Sequence, residues 1–244
     1  MTIDKSSGSF SRPKATRALL KISGEGFGEE APLEEDSICY LVNQVCQAKE
    51  ESGAELALVV GGGNIIRGAR QKVLNRQDAD LAGMVATIIN GLALRSELES
   101  RGFTAVIQSA LHLDRATRPV DPQQAKWHMK EGRIVIFAGG TGNPYFTTDS
   151  AAALRAGEIG ADLIIKGTQV KGVYTADPSV EESAQFIPEL TFSELIEKRL
   201  EIVDLSAAQI CDDLDIPMVI CDLHQEGTLQ KVLAGEDLGT LVHS

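Results

Sequence analysis

The stretch Ile134-Val-Ile-Phe137-Ala138-Gly139-Gly140-Thr141-Gly142-Asn143-Pro144-Tyr145-Phe146-Thr147-Thr148-Asp149-Ser150, continuing into the Ala-rich run to Ala156, joins three kinds of local pattern. The apolar run Ile134 to Phe137 has the length and β-branched content of a buried strand. The run Ser150 to Ala156 is helical in pattern. Between them lies a glycine loop. A strand that ends in such a loop and passes into a helix N-terminus offers free backbone N–H groups and a positive dipole end to an anion. The loop also carries hydroxyls at Thr141, Thr147 and Thr148, an amide at Asn143 and a ring at Tyr145. That is more polar chemistry than a plain turn needs, and it reads as a phosphate and nucleotide site.

Two further junctions repeat the pattern. Leu56 to Val60 is an apolar run followed by Gly61-Gly62-Gly63-Asn64, and Ala18 to Ile22, with Lys21 inside it, is followed by Ser23-Gly24-Glu25-Gly26. Ligands of open α/β sheets bind at the carboxyl ends of the strands. Three such ends in one chain point to a shared crevice.

The rest of the chain alternates. Strand patterns at 18–22, 56–60, 104–108, 133–137 and 162–166 are separated by helical patterns at 34–52, 79–101, 122–130 and 150–160. The alternation predicts a three-layer α/β/α sandwich with a mostly parallel central sheet. After Lys166 the texture changes to a turn-rich loop, Gly172-Val-Tyr174-Thr-Ala-Asp177-Pro178. Helical patterns follow at 192–198, 206–214 and 227–234, with a strand at 217–221. The expected organisation is a polar, mobile tail over 1–16 and one domain over 17–244. Its two lobes divide near residue 160.

With 244 residues, 43% of them hydrophobic, the chain has the material for a full core, built mainly from aliphatics because aromatics make up only 5%. The net charge of −12 argues against nucleic acid as the main partner, since such binders usually carry a basic face. Cys39, Cys46, Cys211 and Cys221 form no C-x-x-C pair and read as reduced core thiols; the first two are spaced for one helix face. The sequence shows no uninterrupted 18-residue apolar run and no apolar signal core. The expectation is a cytoplasmic protein without a membrane partner.

Several residues carry candidate chemistry. Lys21 lies in an otherwise apolar strand, where burial is costly without an anionic partner. It either neutralises phosphate oxygens or reaches solvent from a strand end. Arg67 follows the triple-glycine loop by about one helical turn, and its fork suits bidentate phosphate contact. Asp149 either caps the helix after the long loop or orients Lys21 or a metal-bound phosphate. Asp80 either caps the long helix or accepts from a ribose hydroxyl pair. Tyr174 either stacks on a base or is structural. The phosphate-loop signature G-x-x-x-x-G-K-[ST] is absent, and Gly24-Glu25-Gly26-Phe27-Gly28 is not the dinucleotide fingerprint. The scattered His112, His128, His224 and His243 form no hydrolase triad or zinc motif.

Lys21-Ile-Ser-Gly24, Gly61-Gly-Gly-Asn-Ile-Ile-Arg67, Thr141-Gly-Asn-Pro-Tyr-Phe-Thr-Thr-Asp149 and Gly172-Val-Tyr-Thr-Ala-Asp-Pro178 occur in the order seen in bacterial uridylate kinases of the amino acid kinase fold family. The resemblance runs from about Arg17 to the C-terminus. The Thr141–Asp149 stretch is specific to that branch, whereas the other glycine motifs are shared with acetylglutamate and aspartate kinases. The resemblance implies transfer of a phosphoryl group from Mg²⁺-ATP to UMP. It places Lys21, Ile22, Ser23, Gly24 and Gly63 at the ATP phosphates, and Arg67 between donor and acceptor. Gly62 and Thr148 fall at the UMP phosphate, and Asp80 at the UMP ribose. Thr141, Gly142, Asn143, Pro144, Tyr145, Phe146 and Thr147 surround the uridine, and Thr168, Tyr174 and Asp177 the adenosine. Asp149 orients the catalytic lysine. A homohexamer is implied as well.

The chain departs from the family pattern at three places. The Gly24–Gly28 segment is compact where relatives often carry a longer piece that in some takes part in GTP regulation. Lys171 stands where an acidic residue is frequent, and Gln169 where a lysine is. Two other readings share the fold: a non-catalytic nucleotide-binding protein, and a kinase acting on a carboxylate. The presence of Lys21, Arg67 and Asp149 argues against the first, and the hydroxyl- and amide-rich loop against the second.

Overall fold

The computed structural model describes residue 12 and residues 14–28, 31–66, 73–176, 178, 180–181, 183–200 and 202–244. Its first half runs β1 (Arg17–Ile22), a 3₁₀ turn (Gly24–Phe27), α1 (Glu35–Ser52), β2 (Glu55–Val60) and α2 (Arg76–Ser100), then β3 (Ala105–Ser109), β4 (Arg118–Pro119), α3 (Pro122–Lys130), β5 (Ile134–Ala138) and α4 (Thr148–Ile159). The second half runs β6 (Leu163–Thr168), β7 (Val173–Tyr174), β8 (Phe186–Ile187), β9 (Glu189–Thr191), α5 (Phe192–Glu197) and α6 (Leu205–Asp213), then β10 (Met218–Asp222), α7 (Thr228–Leu233) and β11 (Thr240–His243).

Nine strands form one sheet in the order β4-β3-β5-β2-β1-β6-β10-β11-β9. All neighbours are parallel except β10 and β11, which are antiparallel. The short β7–β8 hairpin stands apart from it. The central strands are apolar on both sides because both faces are covered. Successive residues alternate between the faces. Leu20, Ile22, Leu58, Ile136 and Ile165 meet α1, α2 and α7, while Leu19, Val59, Phe137, Ile164 and Ile220 meet α3, α4, α5 and α6. This is the three-layer sandwich that the alternation predicts.

Strands β1 to β5 occupy one side of the sheet, and β6, β10, β11 and β9 the other. The seam between β1 and β6 separates strands drawn from the two halves of the chain. It is also where chain order reverses, the place an α/β sheet opens a crevice.

Most element boundaries match the sequence expectation to within a residue or two. The exception is α2, which begins three residues before the expected Ala79 because Asn75 accepts a hydrogen bond from the Asp78 N–H and caps it. Asp80 is therefore not the cap. The short strands β4, β7, β8, β9 and β11 have no apolar run long enough to announce them. Cys46 is buried and Cys39 half-buried on α1, so the seven-residue spacing gives only one fully covered thiol; all four cysteines are free. Helix α2 has the length and composition to cross a bilayer, but its inner face is committed to the sheet through Ile88, Leu94 and Leu98, as in a core helix.

Candidate active site

Lys21 and Lys166 are register partners on the adjacent parallel strands β1 and β6. Partnered positions point the same way, so both ammonium groups emerge on the α4 face. They are 9% and 8% exposed. Between them stands Asp149 in the first turn of α4, itself 8% exposed. Its Oδ1 lies 2.8 Å from Lys21 Nζ, and its Oδ2 accepts a hydrogen bond from Lys166 Nζ. The cap of α4 is Thr147, whose hydroxyl accepts from the Ser150 N–H. The choice left open at Asp149 thus falls against capping, and the solvent-reaching alternative for Lys21 fails because β1 is central and its lysine is covered.

Two cations on one anion leave one positive charge in excess. Burial by itself would raise the Asp149 carboxyl, but the ammonium groups of Lys21 and Lys166 outweigh it and hold the group below its ordinary 3.8. Burial lowers Lys166 from 10.5, Lys21 lowers it further, and Asp149 and Asp204 oppose both. For Asp149, stability is contributed above 3.8 and lost as pH falls through the folded value. For Lys166, the folded protein binds fewer protons than the unfolded chain between the folded value and 10.5. Its burial therefore costs stability at neutral pH, and that cost fades as pH rises through that window.

Above this charge centre the glycine loops meet. A cavity of about 210 Å³ is lined by Lys21, Ser23, Gly24, Glu25, Gly61, Gly62, Gly63 and Thr148. Close approach explains the glycines. A Cβ on Gly24 would lie 2.5 Å from the Gly63 nitrogen, and one on Gly61 would lie 2.7 Å from the Gly24 nitrogen. The two loops interlock backbone to backbone, which places their N–H groups around one small volume.

Asp80 sits one turn into α2, paired with the Arg76 Nε at 2.8 Å. It also accepts from the Tyr145 N–H at 2.9 Å, which ties it to the long loop. That loop turns at Gly142, whose N–H donates to the Gly139 carbonyl, and Asn143 N–H donates to Thr141 Oγ1. Tyr145 and Phe146 are exposed. Ile22, Ser23 and Thr168 line a 590 Å³ cavity beside the glycine cradle, and Tyr174 lines a separate 440 Å³ cavity with Val170, Arg199 and Ile202. The ring of Tyr174 stands edge-on to Phe186, on which Lys171 packs with its Nζ 4.4 Å from the ring centre. Arg67 and Asp177 lie outside the described residues.

Sequence reading missed Lys166 and Asp204. Lys166 carries the same signal as Lys21, a lysine in an otherwise apolar run, and only the pairing of β1 with β6 makes it a partner. Asp204 begins α6 without capping it; instead it accepts from the Thr147 hydroxyl, joining the start of α6 to that of α4. No local pattern announces that contact.

Residues 16–222 match the profile of the amino acid kinase family. A uridylate kinase of Magnetococcus marinus is 46% identical over 233 residues, which is 94% of this chain and 96% of that one. The UMP kinase of Bacillus anthracis superposes with a TM-score of 0.91 at 30% identity, covering 95% of this chain and 97% of the other. The UMP kinase of Ureaplasma parvum gives 0.87 at 32%, covering 94% and 99%. The range of the family match holds β1 to β10, the glycine loops and the paired lysines, and the chain belongs to the amino acid kinase family, among its uridylate kinases.

Proposed function

We propose that this chain transfers the γ-phosphoryl group of ATP to UMP, giving ADP and UDP. The observation that carries the reading is the buried Lys21–Asp149–Lys166 bridge beneath the glycine cradle. An oxygen of the UMP phosphate bonds to the γ-phosphorus, and the bond to the β–γ bridging oxygen breaks. Negative charge moves onto the ADP leaving group. Catalysis of such a step is mostly positioning and charge stabilisation. The excess positive charge of the lysine pair and the N–H groups of Gly24 and Gly63 supply it on the ATP side. Gly62 and Thr148 hold the acceptor phosphate, Asp80 the ribose, and residues Thr141 to Thr147 the uracil. Thr168, in the 590 Å³ cavity beside the cradle, takes the adenosine; Tyr174, in the separate cavity, and Asp177 are assigned to it by the resemblance alone.

The residues present fit an Mg²⁺ ion brought on the nucleotide. Asp149 Oδ1 is buried and lacks a well-aligned hydrogen-bond donor, since Lys21 approaches it as an ion pair. Among the described residues no cluster of three His, Cys, Asp or Glu side chains makes a dedicated cage. The ion would neutralise phosphate charge, and Asp149 would orient its water shell. The resemblance implies a homohexamer, and the exposed apolar stripe Leu81, Val85 and Ile89 on α2 is a surface that an interface between copies would cover. The free thiols accord with a cytoplasmic protein.

The test is ADP release with Mg-ATP and each of UMP, CMP, dUMP, N-acetylglutamate and aspartate. Selective turnover of UMP is expected. Turnover of an amino acid, or none in folded protein that binds ATP, overturns the reading. Two variants assign roles within it. Arg67→Ala should lower kcat by at least about tenfold while the circular dichroism spectrum is retained. Unchanged kcat removes Arg67 from the chemistry. Asp80→Ala should raise the UMP KM by about tenfold, the worth of one charge-assisted hydrogen bond, with kcat changing less. An unchanged KM leaves Asp80 only its structural contacts to Arg76 and Tyr145.

A further inference from the structure

The inner face of α2 carries two buried polar side chains that the reaction chemistry does not use. Thr87 is 5% exposed and Asn90 is 0% exposed. A buried polar group inside a helix is costly unless its partners matter. The Thr87 hydroxyl donates to the Met84 carbonyl at 2.7 Å, and it accepts from the Gly139 N–H, also at 2.7 Å. Gly139 opens the long acceptor loop. The Asn90 amide donates to the Gly61 carbonyl at 2.7 Å and to Asn64 Oδ1 at 2.8 Å, while Asn64 Nδ2 donates back to Asn90 Oδ1 at 3.1 Å. Gly61 and Asn64 bracket the glycine cradle. Between these two anchors the cradle rests on the helix itself: a Cβ on Gly62 would lie 2.6 Å from the Gly83 carbonyl oxygen and 2.9 Å from the Ala86 Cβ.

Thr87 and Asn90 are three residues apart, so they share a helix face. One rigid element thus holds the loop around the acceptor and the loop around the transferred phosphate. Their separation is fixed by a single turn of helix and not by the loops themselves. We propose that Thr87 and Asn90 are positioning residues for phosphoryl transfer. Thr87 sets the acceptor loop, Asn90 sets the cradle, and α2 keeps the two in register. The idea rests on the UMP kinase reading, and an error of about 1 Å between such loops is enough to slow transfer by about 10².

The test compares Thr87→Val, Thr87→Ser, Asn90→Ala and Asn64→Ala with the unmodified protein, each corrected for folded fraction. The unmodified protein's turnover of UMP checks the underlying reading separately. Thr87→Val keeps the shape but leaves the Gly139 N–H without its acceptor. It should raise the UMP KM by about tenfold and leave the ATP KM within about twofold, and Thr87→Ser should restore the UMP KM. Asn90→Ala should lower kcat by about 10² with a smaller change in the UMP KM, because the cradle contacts the group in transit. Asn64 lies at the rim, so Asn64→Ala folds even where Asn90→Ala does not, and it should lower kcat in the same direction. A purely structural role predicts lower melting temperatures with wild-type KM and kcat per folded molecule. That result, or an Asn64→Ala variant with unchanged kcat, overturns the proposal.

Discussion

Replacing Asp149 by alanine is expected to lower kcat by about 10³ and to destabilise the fold by about 3–5 kcal/mol. Both effects have one cause. Lys21 and Lys166 are nearly covered, and Asp149 is the anion between them. Without it two ammonium groups face each other in a poorly solvated site. They separate or lose a proton, and in either case the charge arranged for the phosphoryl group is gone. Asp149→Asn keeps the shape and should show the same fall in kcat, which separates charge from packing. The pH profile gives a further sign. Lys166 already titrates below 10.5, and Asp149 is one of the groups that hold it up. In Asp149→Asn the alkaline limb of any residual kcat therefore moves to lower pH. A kcat within about tenfold of the unmodified protein, or an alkaline limb that stays in place, would sink this account.

Replacing Lys166 by methionine separates activity from stability. Expected is a fall in kcat of about 10², the usual loss when one preorganised donor is removed from a developing charge. The urea midpoint should hold or rise. Lys166 is covered at a cost at neutral pH and is repelled by Lys21, so its removal leaves a balanced Lys21–Asp149 pair in place of an excess cation. The methionine fills the space along the former lysine stem. Activity and stability moving in opposite directions marks a residue kept for function against its folding cost. If kcat survives, Lys166 is a support for Asp149 and nothing more. If the midpoint falls by as much as in Asp149→Ala, the excess-charge argument is wrong.

The two lysines also show how far a sequence can be read. Lys21 stands out because a charge in an apolar strand demands an explanation. Lys166 carries the same mark, but nothing in the order of residues says that strand 163–168 lies beside strand 17–22, more than 140 positions away. Asp149 was ambiguous for a related reason. An acidic residue in a first helical turn serves the dipole equally well whether or not a cation waits across the cleft. Asp80 looked like a cap because the apolar period begins near Ala79, whereas Asn75 starts the helix earlier through its side chain.

Hydrophobic period, glycine placement and turn chemistry are local properties. By themselves they determined the alternating strands and helices and the mostly parallel three-layer sheet, while the order of the motifs gave the resemblance to the family. Strand order, register and the meeting of loops are not local, because they depend on which apolar faces bury each other. Only the tertiary structure decided that β1 and β6 are neighbours, that two lysines share one carboxylate, that Asp204 reaches Thr147 and that one face of α2 holds both loops. These contacts are long in sequence and short in space. The burial of aliphatic faces that carry no chemistry of their own brings them together.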